Sequence, residues 1–244
     1  MRFVHISIFL CKGNKKLIKK WRFFVFFSYL CKKYRDKAKK MSESNDYRKE
    51  LKSRIVNYAM NEFCKRGIKA VKMDEISQGL HVSKRTVYEI FGDKEELLLE
   101  GLKDGDLRMR QQLEEYARIG NHNVIDILGY FYKIQMQVNG QVGATFYEEI
   151  HKMPRVVEYL QQEHDRMHDD RIRFLEAGVK EGLFRKDINY RLALELIHVS
   201  MGEIMHRQLY KDFPMPEIFD NYFLVIIRGF CTERGLTLLN KAIE

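Results

Sequence analysis

Between Gly67 and Leu98 the chain reads GIKAVKMDEISQGLHVSKRTVYEIFGDKEELL, two short helical segments joined by a four-residue turn and followed by the start of a third. Ile76, Leu80, Val82, Val87 and Ile90 fall at spacings that give each short helix one buried side. Val82 lies in the connection itself, where a turn must be pinned to a core. Two helices joined in this way cannot lie flat, so the segment demands a third element to pack on.

The preceding stretch supplies it. Asp46 to Arg66 carries Leu51, Ile55, Ala59 and Phe63 at four-residue spacing, and Gly67 stands as a C-terminal stop. Phe63 and Ile55 are core residues on this reading, not contact residues. Ser83 precedes the second short helix, where its hydroxyl can accept from an orphan N–H of the first turn. Lys84, Arg85 and Thr86 then project from that helix's N-terminal end. Cations at the positive end of a helix dipole are unfavourable by roughly 0.3–1 kcal/mol each, so a polyanionic partner explains them. Arg is the side chain best shaped for guanine O6 and N7. Tyr88, one turn after Lys84, can turn its hydroxyl to a phosphate, while Phe91 closes the helix against the core. Asp93-Lys94-Glu95-Glu96 follows the D-x-x-E capping pattern and starts a new helix at Lys94.

Gly67, Ile76, Val82-Ser83, Tyr88, Phe91 and Lys94 to Leu97 recur in this order in the helix-turn-helix of TetR-type transcriptional regulators, which this segment resembles. About fifty residues carry the detailed match and the remainder a looser one. Two positions depart from the family pattern: Lys72 stands where Thr or Ser usually caps the first short helix, and His81 where Gly is frequent in the turn. The first departure costs about 1 kcal/mol; the second asks His for a left-handed backbone. The resemblance implies that Ser83, Lys84, Arg85 and Thr86 meet bases or nearby phosphates, that Tyr88 and Lys94 grip phosphate, and that Lys72 adds a backbone contact.

Net charge points elsewhere. The chain sums to +9, but residues 1–40 hold 13 Lys/Arg against one Asp, whereas 41–244 hold 30 against 33 acidic residues. Within the latter, 41–92 is +3 and 93–244 is −6. A few cations on one face with an acidic remainder suits DNA binding of salt-sensitive, moderate strength.

Residues 1–40 resemble nothing else in the chain. Their apolar runs, Ile6 to Cys11 and Phe23 to Leu30, fall far short of the ~20 residues needed to cross a bilayer, and no small-residue cleavage site follows. Three readings stay open. The preferred one takes Met41 as the start of the working protein, with the leader untranslated or without structure; the others are a membrane-surface helix and a basic arm along DNA.

Only 3 prolines and 15 glycines among 244 residues favour an all-α answer. Cys11, Cys31, Cys64 and Cys231 lie far apart, so neither a zinc site nor a disulfide framework is indicated, and a reducing cytoplasm is the natural compartment. Helices are expected at about 94–117, 124–138, 143–152, 154–181, 190–210 and 216–233. The fold expected is an all-α three-helix DNA-binding head, 41–93, followed by a larger helical ligand-binding and dimerisation domain, 94–244.

Phe219 to Phe230 is apolar nearly all round, and a helix of that kind must be covered on every side. Phe219, Phe223, Ile226, Ile227 and Phe230, with Leu192, Leu196, Met201, Ile204 and Met205 of the preceding helix, are expected to pair with their two-fold mates as a four-helix interface. In TetR-like proteins the middle helices line an inducer pocket. Here the resemblance points to Phe131, Tyr132 and Met136, to Phe146, Tyr147 and His151, and to Phe174, His198 and Met201, although for any single one of them plain core packing is the better account.

His164 and His168 stand at i, i+4, a spacing that can hold a metal. They lie in the run Glu163 to Asp170, and a solvated face whose acids pair with Arg166 and Arg171 explains that run equally, so no metal or cofactor is assigned. No nucleophile elbow, phosphate loop or H-E-x-x-H occurs, and catalysis needs a placed constellation, so no enzyme is expected. The function implied is a homodimeric, ligand-responsive repressor that binds a palindromic double-stranded operator in the cytoplasm, responds to a small-molecule inducer and has no stable membrane insertion. The alternative is a helical partner-binding protein that keeps this fold without binding DNA.

Overall fold

The computed structural model describes residues 43–244, with side chains from Tyr47 onward. The three readings of the leader 1–40 therefore lie outside the described residues. Among the described residues the chain is helical throughout, with one isolated antiparallel bridge between Phe184 and Cys231. No described helix is long and apolar enough to cross a membrane.

The helices are α1 (Glu43–Arg66), α2 (Met73–Gly79), α3 (Lys84–Ile90), α4 (Lys94–Ile119), α5 (Val124–Asn139), α6 (Ala144–Ile150), α7 (Pro154–Lys180), α8 (Tyr190–His206), α9 (Met215–Phe230) and α10 (Glu233–Ile243). They form two compact units. One takes the described residues up to Gly105 together with Gln141–Leu160; the other takes Asp106–Gly140 and Gln161–Glu244.

In the first unit the four-residue spacing of α1 is its packing face. Leu51, Ile55, Ala59 and Phe63 are buried, with Val56, Met60 and Cys64 beside them. The helix stops where Gly67 takes a left-handed φ of 87° and donates its N–H to the Phe63 carbonyl at 2.8 Å. A side chain there would be strained, and a Cβ would also lie 2.6 Å from Thr145 Cγ2. Ile68, Val71, Ile76, Val87, Phe91, Leu97 and Leu98 complete a closed core. α6 belongs to this unit: Phe146, Tyr147 and Ile150 are buried, Gly143 N–H donates to Cys64 O at 2.9 Å, and Lys69 N–H donates to Glu149 at 2.7 Å.

The larger unit closes on Met109, Leu113, Phe131, Phe174, Phe223, Ile227 and Leu239. Asn123 and Asp126 form a reciprocal capping box at the start of α5. The reading of 190–210 as one helix is shortened. α8 ends at His206, Gln208 turns left-handed at φ 57°, and a single 3-10 turn covers Leu209–Lys211.

The C-terminal end differs more. α9 ends at Phe230 because Cys231 is extended and pairs with the turn after α7: Arg185 N–H donates to Phe230 O at 2.8 Å, and Thr232 N–H to Leu183 O at 3.0 Å. The Thr232 hydroxyl then caps a further helix, α10, which the sequence reading did not include, by accepting from Gly235 N–H at 3.2 Å. α10 lies along α5, where a Cβ on Gly129 would meet that of Ala242 at 2.5 Å.

Candidate nucleic-acid interface

α2 and α3 are joined by a Schellman-type turn. His81 N–H donates to Gln78 O at 3.1 Å and Val82 N–H to Ser77 O at 3.0 Å, with His81 left-handed at φ 55°. Ser83 follows as the N-cap of α3: its hydroxyl accepts from Thr86 N–H at 3.0 Å and lies 2.7 Å from Thr86 Oγ1. Lys72, at the N-cap of α2, makes no side-chain cap. Both departures from the family pattern thus have the local consequence their residue type dictates.

Burial orients α3. Val87 is fully buried, while Ser83, Lys84, Arg85 and Tyr88 are exposed and Thr86 is half-buried. Lys72 is exposed as well. This exposed side is not a bare cationic surface. Lys84 Nζ is 2.8 Å from Asp74 and lies 5.8 Å from the centre of the Tyr88 ring. Its hydrogen bond to Asp74 holds the ammonium above its ordinary value. Arg85 Nε is 2.6 Å from Glu89, although the Arg85 side chain keeps 88% of its surface exposed. Surface pairs of this kind contribute little and exchange readily, so a phosphate or a guanine edge can take the place of Asp74 or Glu89. The sequence reading missed these acids, although the i, i+4 spacing of Arg85 and Glu89 was there to be read.

Lys94 is placed differently from the other cations. Its ammonium donates to the carbonyls of Val71 at 3.0 Å and Lys69 at 3.3 Å. Partial burial lowers its pKa. Two of its three donors tie the segment before α2 to the start of α4, which leaves one for a phosphate. Asp93 caps α4 by accepting from Glu96 N–H at 2.6 Å, and Glu96 reaches back to Gly92 N–H at 3.0 Å, one residue earlier than a standard box. Arg155 pairs with Asp93 at 3.0 Å.

The residues suggested for an inducer pocket are divided between the units. Phe146, Tyr147 and His151 lie in the first unit on or beside α6. Phe131, Tyr132, Met136, Phe174, His198 and Met201 lie in the larger one. Phe131 packs on Phe219 and Phe223 at ring separations of 6.3 and 5.9 Å, as core. Tyr132 is half-buried, and its hydroxyl donates to Asp220 at 2.5 Å. Burial and this bond push its pKa up to about 12.

Of the residues expected to pair two chains, Met205, Phe219, Phe223, Ile227 and Phe230 are buried within their own chain, and Met201, Ile204 and Ile226 are half-buried. Leu192 and Leu196 are exposed, at 56% and 60%. Val199 at 66% and Val225 at 72%, not singled out from sequence, join them on α8 and α9. α9 is therefore covered on one side only.

Residues 55–100 match the family model of bacterial regulatory proteins, tetR family. No curated protein sequence matches the chain. Among solved structures, a gamma-butyrolactone receptor described as ArpA-like is similar over 81% of this chain and 98% of its own, at 16% identity and a TM-score of 0.54. The ketosteroid transcriptional regulator KstR2 of Mycobacterium tuberculosis is similar over 79% of this chain and 98% of its own, at 18% identity and a TM-score of 0.46. At these identities the first likeness is one of fold.

Proposed function

We propose that this chain, whose residues 55–100 match the family model of bacterial regulatory proteins, tetR family, is a one-component transcriptional regulator that binds a palindromic operator as a homodimer and releases it when a small molecule occupies the larger unit. The observation that carries the reading is the Ser83-capped α3, with Val87 turned into the core and Lys84, Arg85 and Tyr88 turned out. A capped helix with exposed cations at its first turn fits the major groove, and its N-terminal residues are the ones that meet base edges. Arg85 then reads a base, Lys84, Thr86 and Tyr88 follow bases or phosphate, and Lys72 and Lys94 hold the backbone. Repression in the cytoplasm follows from the family habit. Ligand control is a population shift: a molecule that prefers the form with wrongly spaced heads lowers operator affinity.

The ion pairs Lys84–Asp74 and Arg85–Glu89 favour a second reading, in which the head is neutralised internally and the fold serves a protein partner. Selection of bound DNA from a random pool separates the two. Repressor function predicts enrichment of an inverted repeat whose binding weakens steeply with salt. No enriched sequence, with no salt-dependent affinity for DNA, would leave the partner-binding reading standing.

A further inference from the structure

The pair His164 and His168 acquires a third neighbour in the fold. Both imidazoles project from α7 with ring centres 6.4 Å apart, and Glu195 of α8 reaches them: its Oε1 lies 3.5 Å from His168 Nδ1. One ligand atom from each of His164, His168 and Glu195 lies within 4.8 Å of the others. His164 is buried, His168 half-buried and Glu195 exposed, so the cluster runs from core to surface and an ion has a way in. His198, one turn after Glu195, stacks on His164 at 3.7 Å and holds that ring in place.

We infer that His164, His168 and Glu195 form a binding site for a first-row divalent metal ion joining α7 to α8. Two imidazoles and one carboxylate are the donor set of open zinc sites, with water or an outside group in the fourth position. Imidazole suits zinc, copper and nickel, whereas magnesium and calcium prefer oxygen, which decides the class of ion. Tetrahedral coordination at about 2.1 Å needs donor atoms about 3.4 Å apart; His168 and Glu195 already stand at 3.5 Å, so binding asks only that His164 close on them from a separation of at most 4.8 Å. Arg171 opposes the ion, with Nη1 3.4 Å from His164 Nδ1. It is offset by the acids Asp165 and Glu195 at the same place, whose charges act on both Arg171 and His164. Glu195 sits between Leu192 and Leu196, so an ion here would bear on the apolar face through which two chains are proposed to pair. That consequence rests on the proposed dimer, but the site does not.

The test is uptake by untagged, full-length protein after dialysis against chelator, titrated with Zn²⁺, Ni²⁺ and Co²⁺ by calorimetry and, for Co²⁺, by its visible absorption. The expected result is one equivalent per chain, with His168→Ala and Glu195→Ala each weakening affinity by more than the roughly 10–100-fold that losing a group which merely orients a ligand costs. Those positions are chosen because replacing buried His164 would also open the core; unchanged helical circular dichroism checks the fold. His206→Ala, whose side chain is 83% exposed, should bind as wild type. Absence of stoichiometric uptake, or uptake that His168→Ala and Glu195→Ala leave unchanged, overturns the site. The assay needs neither DNA nor a dimer, so failure of the regulatory reading would leave it intact.

Discussion

The backbone contact proposed for Lys72 would set one side chain against two opposed demands. Lys72 stands at the N-cap of α2 without capping it, so the first turn lacks a side-chain acceptor that Ser or Thr would supply. Lys72→Ser should raise stability to thermal or urea unfolding by about 0.5–1 kcal/mol. The same change removes an exposed cation, so affinity for all DNA sequences should fall together and the salt slope should shrink by about one. If stability rises and DNA binding is untouched, Lys72 is not a backbone contact. Lys94→Ala should act on both properties in the same direction. It frees the carbonyls of Lys69 and Val71 as well as removing a cation, so both melting temperature and affinity should drop, the stability loss being about 1 kcal/mol. Arg85→Ala should leave stability unchanged and relax preference at one base pair by about 1–3 kcal/mol. His151 adds a pH dependence. Burial lowers its pKa in the folded state, so the unfolded chain takes up its proton first. Stability is therefore fully present above the unfolded value near 6.5 and declines as pH falls below it. Thermal melts on either side of that pH should converge in His151→Gln relative to wild type.

At the scale of helices, the parts legible in the sequence were those with a strong period or a cap. The buried face of α1, the Ser83 cap and the D-x-x-E start of α4 follow from local rules, and each has the contacts those rules require. What was not legible depended on partners distant in sequence. The break after Phe230 is made by hydrogen bonds to Leu183 and Arg185, and no window around Cys231 contains them. Asp74, the acid partner of Lys84, and Glu195, the third neighbour of His164 and His168, come from other helices for the same reason. α9 looked apolar all round because sequence cannot distinguish a half-buried side from a covered one; only burial separates Phe223 from Val225. Packing of α10 on α5 gives the element-scale prediction. Gly129→Ala drives a methyl into Ala242, so it should cost about 1–3 kcal/mol. Ala242→Gly in the same chain should recover part of that loss. Additive losses in the double variant would mean that the two helices do not meet there.

For the whole molecule, the question is whether a single chain is the unit that binds DNA. Leu192, Leu196, Val199 and Val225 leave an apolar face on α8 and α9 after the chain has buried Phe219, Phe223, Ile227 and Phe230 for its own core. Gly202 and Gly229, where a Cβ would meet nothing, leave the same helices open to close approach. Covering a leucine contributes about 1.5–3 kcal/mol, and a two-fold interface counts each substitution twice. Leu196→Glu should therefore weaken pairing by at least about 3 kcal/mol, roughly a hundredfold or more in the dimer dissociation constant, before repulsion between the two carboxylates is added. Since the side chain is already exposed in one chain, the variant should melt as a folded protein, whereas Phe223→Ala should lose about 3–5 kcal/mol of stability. Sedimentation equilibrium should then find wild type as a dimer and Leu196→Glu as a folded monomer. The monomer should retain only half-site contacts and lose most of its affinity for a palindrome, with little change on non-specific DNA. A wild-type chain that sediments as a monomer would remove the two-headed reader, and Leu196→Glu pairing as wild type would move the interface off this face.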